Sequence, residues 1–237
     1  MGSVAQIMFY PPKSNADDSS KALEGAAQVL SRVPGAKAAY HGVLVEDEEI
    51  HCVVLEFKDK ASFENRTKVE GMQSAGAAFK ATVNMEHGVE PFLGFATFKH
   101  DTAEALMANV TEFRFYSLPD KNATEEVVMQ KIIGNAKVDE QPAVTVGKAK
   151  GVSMGYMWWL KPDLADMGST TCFSGIFGYD SVEDYWRWKD MPEHVEAIKG
   201  TKGFMKELGM KPVDMFGKRR AMFEGSGIIH VKFKKTF

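Results

Sequence analysis

Apolar and polar positions along the chain spell the same order of elements twice. The first copy opens with Gln6-Ile7-Met8-Phe9-Tyr10, a strand, after which Leu23, Ala26, Ala27, Leu30 and Val33 recur at helical spacing. Asp17, Asp18 and Ser19 supply capping side chains at the helix start, and Pro34-Gly35 ends it. Gly42-Val43-Leu44-Val45 and Val53-Val54-Leu55-Glu56-Phe57 read as two further strands, followed by a second helix and the strand Phe92-Leu93-Gly94-Phe95. The second copy begins at Glu112-Phe113-Arg114-Phe115-Tyr116. Thr124, Glu125 and Glu126 start a helix carrying Val128, Met129, Ile132, Ile133 and Ala136. Gly155-Tyr156-Met157-Trp158, the segment from Phe173 to Tyr179, another helix and Ile228-Ile229-His230-Val231 complete it.

Each copy is therefore strand, helix, strand, strand, helix, strand. Tyr10 matches Tyr116, Gly42 matches Gly155 and Phe57 matches Tyr179, at offsets of 106, 113 and 122 residues. The growing offset marks an old duplication separated by loop insertions. Part of that drift is assigned to Asp139 to Val146, which has no clear period, contains Pro142 and reads as an inserted loop. The segment from Lys99 to Glu104 departs from both strand and core patterns and reads as the connector, so the expected repeats are 1–104 and 105–237.

The predicted fold class is α+β. Each unit forms a ferredoxin-like, four-stranded antiparallel sheet with both helices on one face. The bare faces must be buried, and two tandem units achieve this by closing sheet against sheet into an intramolecular α/β barrel.

Composition narrows the function more than it changes the fold. The 237 residues are 44% apolar and 26% charged with a formal charge of −3, so no basic footprint for nucleic acid is present. The longest basic run, Lys218-Arg219-Arg220, reads as a solvated turn. No window is apolar enough for a membrane span, and the N-terminus lacks a signal-peptide pattern. Cys52 and Cys172 read as small buried hydrophobes, giving a cytoplasmic expectation.

Several short signatures of the first copy are similar to a known family. Pro34-Gly35, Tyr40-His41-Gly42-Val43, the turn at Glu46-Asp47, Val54-Leu55-Glu56-Phe57 with Asp59, and the helix opening at Ser62-Phe63 resemble the dimeric α/β-barrel superfamily. Within it the chain looks like the antibiotic-biosynthesis-monooxygenase-like and stress-responsive A/B-barrel domains. Tandem versions occur in fungal natural-product pathways, so the resemblance implies a biosynthetic setting. Haem binding, known among relatives, is left open.

Candidate chemistry centres on the first strand of the second copy. If Phe113 and Phe115 pack under the helices, Glu112, Arg114 and Tyr116 point into the barrel, where the corresponding residues of the first copy are Gln6, Met8 and Tyr10. Two charges facing an enclosed space require a partner or a ligand, and a structural Glu112–Arg114 pair is the alternative. Among the histidines, His41 on the second strand and His194 in a helix rank behind His51 and His230 as candidates. The parity of the third strand ties His51 to Val53, Leu55 and Phe57, and sends Glu56 to the other face. Trp158 and Trp159 face opposite sides, so one of them lines the barrel and, with Tyr156, suits a flat ligand; the fourteen methionines suit a greasy one.

The expected site is thus Arg114 for stabilising negative charge, Tyr116 or Tyr10 as hydrogen-bond donor, and His51, Glu112 or Glu56 as acid/base. Tyr10, Met8, Trp158, Tyr156 and His230 line the substrate. No metal-ligand spacing, dinucleotide fingerprint, phosphate loop or nucleophile elbow occurs, so the expectation is no cofactor and no metal. The expected partner is a hydrophobic small molecule, with no nucleic acid and no membrane; a homodimer stays open. The first functional expectation is a cofactor-independent cyclase or isomerase of secondary metabolism. A cofactor-independent monooxygenase and a noncatalytic ligand-binding barrel are the alternatives.

Overall fold

The computed structural model describes residues 2–13, 16–86, 91–118, 124–133, 142–159, 171–196, 199, 206, 209–212 and 227–237, with the backbone alone described at 16–20, 127, 131–133, 158–159 and 171–173. Strands β1 (Val4–Tyr10), β2 (Ala36–Leu44), β3 (His51–Phe57) and β4 (Phe92–Phe98) form the first sheet in the order β4-β1-β3-β2. Strands β5 (Val110–Leu118), β6 (Gly151–Trp159), β7 (Thr171–Tyr179) and β9 (Ile228–Lys235) repeat it as β9-β5-β7-β6, with the two-residue β8 (Lys211–Pro212) beside the end of β5. β2 pairs with β9 and β4 with β6, so eight antiparallel strands close on themselves and leave neither sheet edge of the repeats open.

Both closing seams cross a matched glycine. A Cβ on Gly42 would lie 2.5 Å from Lys232 O and 2.8 Å from the Phe233 ring; one on Gly155 would lie 2.5 Å from Thr97 O and 2.8 Å from the Phe98 ring. The duplicated glycine has a packing reason: only a residue without a side chain lets the second strand of one repeat reach the fourth strand of the other this closely.

On the outer face of the first repeat lie α1 (Ala16–Leu30), α2 (Lys60–Asn65) and α3 (Met72–Ala81). Asp59 caps α2, its carboxylate accepting from the Ser62 backbone at 2.7 Å. α4 (Ala103–Leu106) joins the repeats, and the expected boundary at 104 falls inside it. In the second repeat α5 (Glu125–Val127) continues as a π-helical segment, Val128–Ile133. A helical turn, α6 (142–145), lies where the sequence reads as a loop, while 134–141 fall outside the described residues. α7 (Val182–Lys189) is capped by Ser181.

The barrel interior is a packed core. Ala5, Ile7 and Phe9 of β1 meet Cys52 and Val54 of β3, Phe113 and Phe115 of β5, Ile176 of β7 and Ile229 and Val231 of β9, all essentially inaccessible. Phe9 of the first repeat packs edge-on against Phe113 and Phe115 of the second, with ring centres 5.8 and 6.1 Å away. This corrects the expected facing of β5. An eight-stranded barrel is just wide enough for side chains to fill it, so the aromatic face of β5 turns inward and Glu112, Arg114 and Tyr116 turn out, beneath the second repeat's helical layer.

Candidate functional site

The open space of the first repeat lies outside the barrel, between its sheet and its helices. Side-chain alternation places Gln6, Met8 and Tyr10 of β1, His51, Val53 and Leu55 of β3, and Ala39 and His41 of β2 on that outer face. Strand register arranges them in rows: Tyr10 opposite His51, Met8 opposite Val53 and in turn His41, Gln6 opposite Leu55 and in turn Ala39. Leu23, Ala27 and Leu30 of α1, with Met72, Gly76 and Phe79 of α3, roof a cavity of about 330 Å³ above these rows. Small residues on the facing helices, Ala26, Ala27, Ala75 and Gly76, leave this volume unfilled.

Polar residues are a minority of the cavity lining, chiefly Gln6, His41, Arg66, Thr67, Gln73 and Thr236. His41 borders it, and its Nε2 lies 3.1 Å from Nδ1 of His51, so one ring donates and the other accepts. Burial, then the neighbouring His51 and Lys234, push His41 down to about 4, and burial also lowers His51. Both rings are therefore neutral at neutral pH and one nitrogen in the pair has a free lone pair. Tyr10 packs edge-on to His51 at 5.8 Å and to Phe79 at 4.9 Å; its buried hydroxyl has no hydrogen-bond partner, and burial followed by Cys52 raises its pKa. Gln6 lies on the floor and Arg66 lines one side.

The low His41 value has a measurable consequence. An unfolded histidine titrates near 6.5 and the folded one near 4, so between those values the unfolded chain holds the extra proton and stability falls as pH drops. Urea midpoints at pH 7 and pH 5 are expected to show a larger acid loss for the parent chain than for His41→Asn. Equal losses in the two would sink the assignment.

The expected site residues separate into distinct regions. Met8 lines the cavity, and Tyr10 and His51 adjoin its histidine end. Glu56 faces inward, as its parity relative to His51 requires, and is engaged at one end of the barrel: Tyr40 donates to it at 3.1 Å, the Thr102 hydroxyl also donates, and Ser3 lies 3.0 Å from Thr102. That network holds α4 to the first repeat and leaves Glu56 a structural role.

Glu112 and Arg114 form a buried ion pair on the outer face of the second sheet, the guanidinium standing 4.0 Å over the Phe177 ring. They do not face the barrel interior, and Tyr116 and Tyr156 pack into the same outer cluster. His230 is the cross-strand neighbour of Glu112 and belongs to this region too. Its Nδ1 lies 2.5 Å from Glu46, which also accepts from the His230 backbone at 3.1 Å, and the Tyr185 ring packs at a tilt against it with ring centres 4.5 Å apart. Trp158 lies opposite Phe95 on the strand; its side chain is outside the described residues, as are Lys218, Arg219 and Arg220.

Sequence reasoning passed over His41 and Arg66. The signal for His41 was the β2–β3 hairpin register, which sets it diagonally beside His51. Arg66 has no comparable signal, since it belongs to a short turn (Arg66–Lys68) whose side chains reach the cavity only through packing.

No family model matches the sequence, and no curated protein matches it either. Solved structures do match, along nearly whole chains. A presumptive monooxygenase from Lactobacillus acidophilus NCFM has a TM-score of 0.51 at 10% identity, covering 100% of this chain and 95% of its own. One from Fusobacterium nucleatum subsp. nucleatum gives 0.54 at 12%, covering 100% and 93%. An anthrone oxidase-like protein gives 0.56 at 9%, covering 87% of this chain and 86% of its own. The fold, two tandem ferredoxin-like units closed into one α/β barrel, is shared with these solved structures. At such identities the likeness is one of fold. Among the described residues no helix is long and apolar enough to cross a membrane.

Proposed function

We propose that the first-repeat cavity is the site of a cofactor-independent oxygenase acting on a hydrophobic, enolisable polycyclic compound. The observation that carries this is the neutral His41–His51 pair at the edge of a mostly apolar cavity. In the tautomer where His41 Nε2–H donates to His51, the lone pair of His41 Nδ1 is free to take a proton from an acidic carbon. The Nε2 proton then passes along the 3.1 Å hydrogen bond, so the positive charge comes to rest on His51 and His41 stays neutral. The apolar walls exclude water and hold the flat substrate against the base, a positioning effect that can contribute about 7–11 kcal/mol to a reactive substrate.

The resulting carbanion meets dioxygen: a methylene becomes a carbonyl, one oxygen atom staying in the product and the other leaving as water. The names of the similar solved structures favour this oxygen step over the cyclisation or isomerisation expected from the sequence, which needs the same proton transfer without oxygen.

Dithranol, an anthrone, tests the reading directly. Purified, metal-stripped protein is expected to speed oxygen uptake and yield a product gaining one oxygen and losing two hydrogens, and His41→Phe should abolish the acceleration. Isomeric product formed at equal rate without air assigns the cavity to an isomerase or cyclase. Saturable binding with no conversion of this or related polycyclic phenols assigns it to a carrier.

A further inference from the structure

Among the described residues Arg66 is the one arginine lining the cavity, and its setting is unusual for a cation. Its guanidinium carbon stands over Phe63 at 3.6 Å from the ring centre and 5.6 Å from that of Phe95, and Nη1 donates to Phe63 O at 2.7 Å. The remaining N–H groups have no carboxylate: among the described residues no acidic side chain pairs with Arg66. A half-buried guanidinium with one donor committed and no counter-ion is costly unless an anion arrives. Burial alone lowers its pKa, in keeping with the missing counter-charge.

Position adds the second part. Phe95 stands opposite Gln6 on β1, whereas His41 shares the row of Met8, two residues further along, or about 7 Å down the sheet. The two polar ends therefore address different parts of one flat molecule.

We propose that Arg66 is the anion-recognition residue of this cavity, which takes a polycyclic aromatic bearing a carboxylate or equivalent oxyanion on a ring remote from the reacting carbon. The inference rests on the cavity reading above but not on turnover. A planar oxyanion takes paired N–H donors from the guanidinium, while its contact with the Phe63 ring and its hydrogen bond to Phe63 O hold the guanidinium in place beforehand, so little side-chain freedom is lost on binding.

Two fluorescent dyes of nearly the same shape test this: anilinonaphthalene sulfonate, an anion, and N-phenylnaphthylamine, its uncharged counterpart. The full chain is expected to prefer the sulfonate, and Arg66→Met to lose about tenfold or more of sulfonate affinity with the neutral dye unchanged. Arg66→Lys should recover part of the loss. Ala27→Trp, which fills the cavity, should block both dyes. Equal loss of both dyes in Arg66→Met would show that Arg66 only supports the wall, an unchanged sulfonate affinity would show that it recognises nothing, and sulfonate binding that survives Ala27→Trp would place the dye elsewhere; each overturns the proposal. Because neither dye reacts, protein inert toward dithranol but selective for the sulfonate would refute the oxygenase reading alone.

Discussion

Arg114→Met is expected to destabilise the protein by about 3–5 kcal/mol, because it strands a carboxylate that has no other escape. Glu112 is fully buried, its Oε1 is bound by Arg114 and its Oε2 already lacks a hydrogen-bond partner. Methionine keeps much of the packing volume over Phe177 but supplies no donor. For a chain of this length each kcal/mol moves the midpoint by about 2–4 °C, so thermal melts should shift down by about 6–20 °C. Pairing the change with Glu112→Leu should restore most of that stability, since replacing both ions by apolar groups removes the uncompensated charge. Dye binding and turnover in the first-repeat cavity should survive at a temperature where the variant is folded. A variant with full stability and no turnover would return Arg114 to the active site.

The order of elements was legible because each strand and helix carries its own period, and closure into a barrel followed from two bare sheet faces that had to meet. The parity of β3 was legible as well, since Val53, Leu55 and Phe57 drag His51 with them and send Glu56 inward. The orientation of β5 was not. Both faces of β5 are buried, one in the barrel and one under the second repeat's helical layer, so a period of two separates the faces without saying which is which. Charges at 112 and 114 looked like occupants of a chamber only while the chamber was assumed empty. With Phe9, Phe92, Phe113 and Phe115 filling it, the open volume moves to the helix side, where Ala27 and Gly76 are too small to close it.

Residues 1–108 expressed alone are expected to form no stable monomer and to associate as pairs. Such a fragment keeps α4 whole, with Thr102 bound to Glu56, but loses every partner across the interior. Phe9 would lose Phe113 and Phe115, and each large apolar side chain returned to water costs about 1.5–3 kcal/mol. β2 would lose its pairing of Tyr40 to Leu44 with β9, and β4 its pairing of Gly94 to Phe98 with β6, leaving two open edges on one short sheet. Both native seams join the second strand of one repeat to the fourth strand of the other. Two copies of the first repeat can therefore build the same pair of seams by placing β2 of each against β4 of the other, burying both bare faces at once. Gly42 then becomes the point of closest approach at each seam, so Gly42→Val should abolish the pairing and drive the fragment to aggregate. Sedimentation equilibrium distinguishes the outcomes. A mass of twice the fragment, reduced by Gly42→Val, is expected, whereas a well-folded monomer would mean that the interior aromatic cluster is not what holds the repeats together.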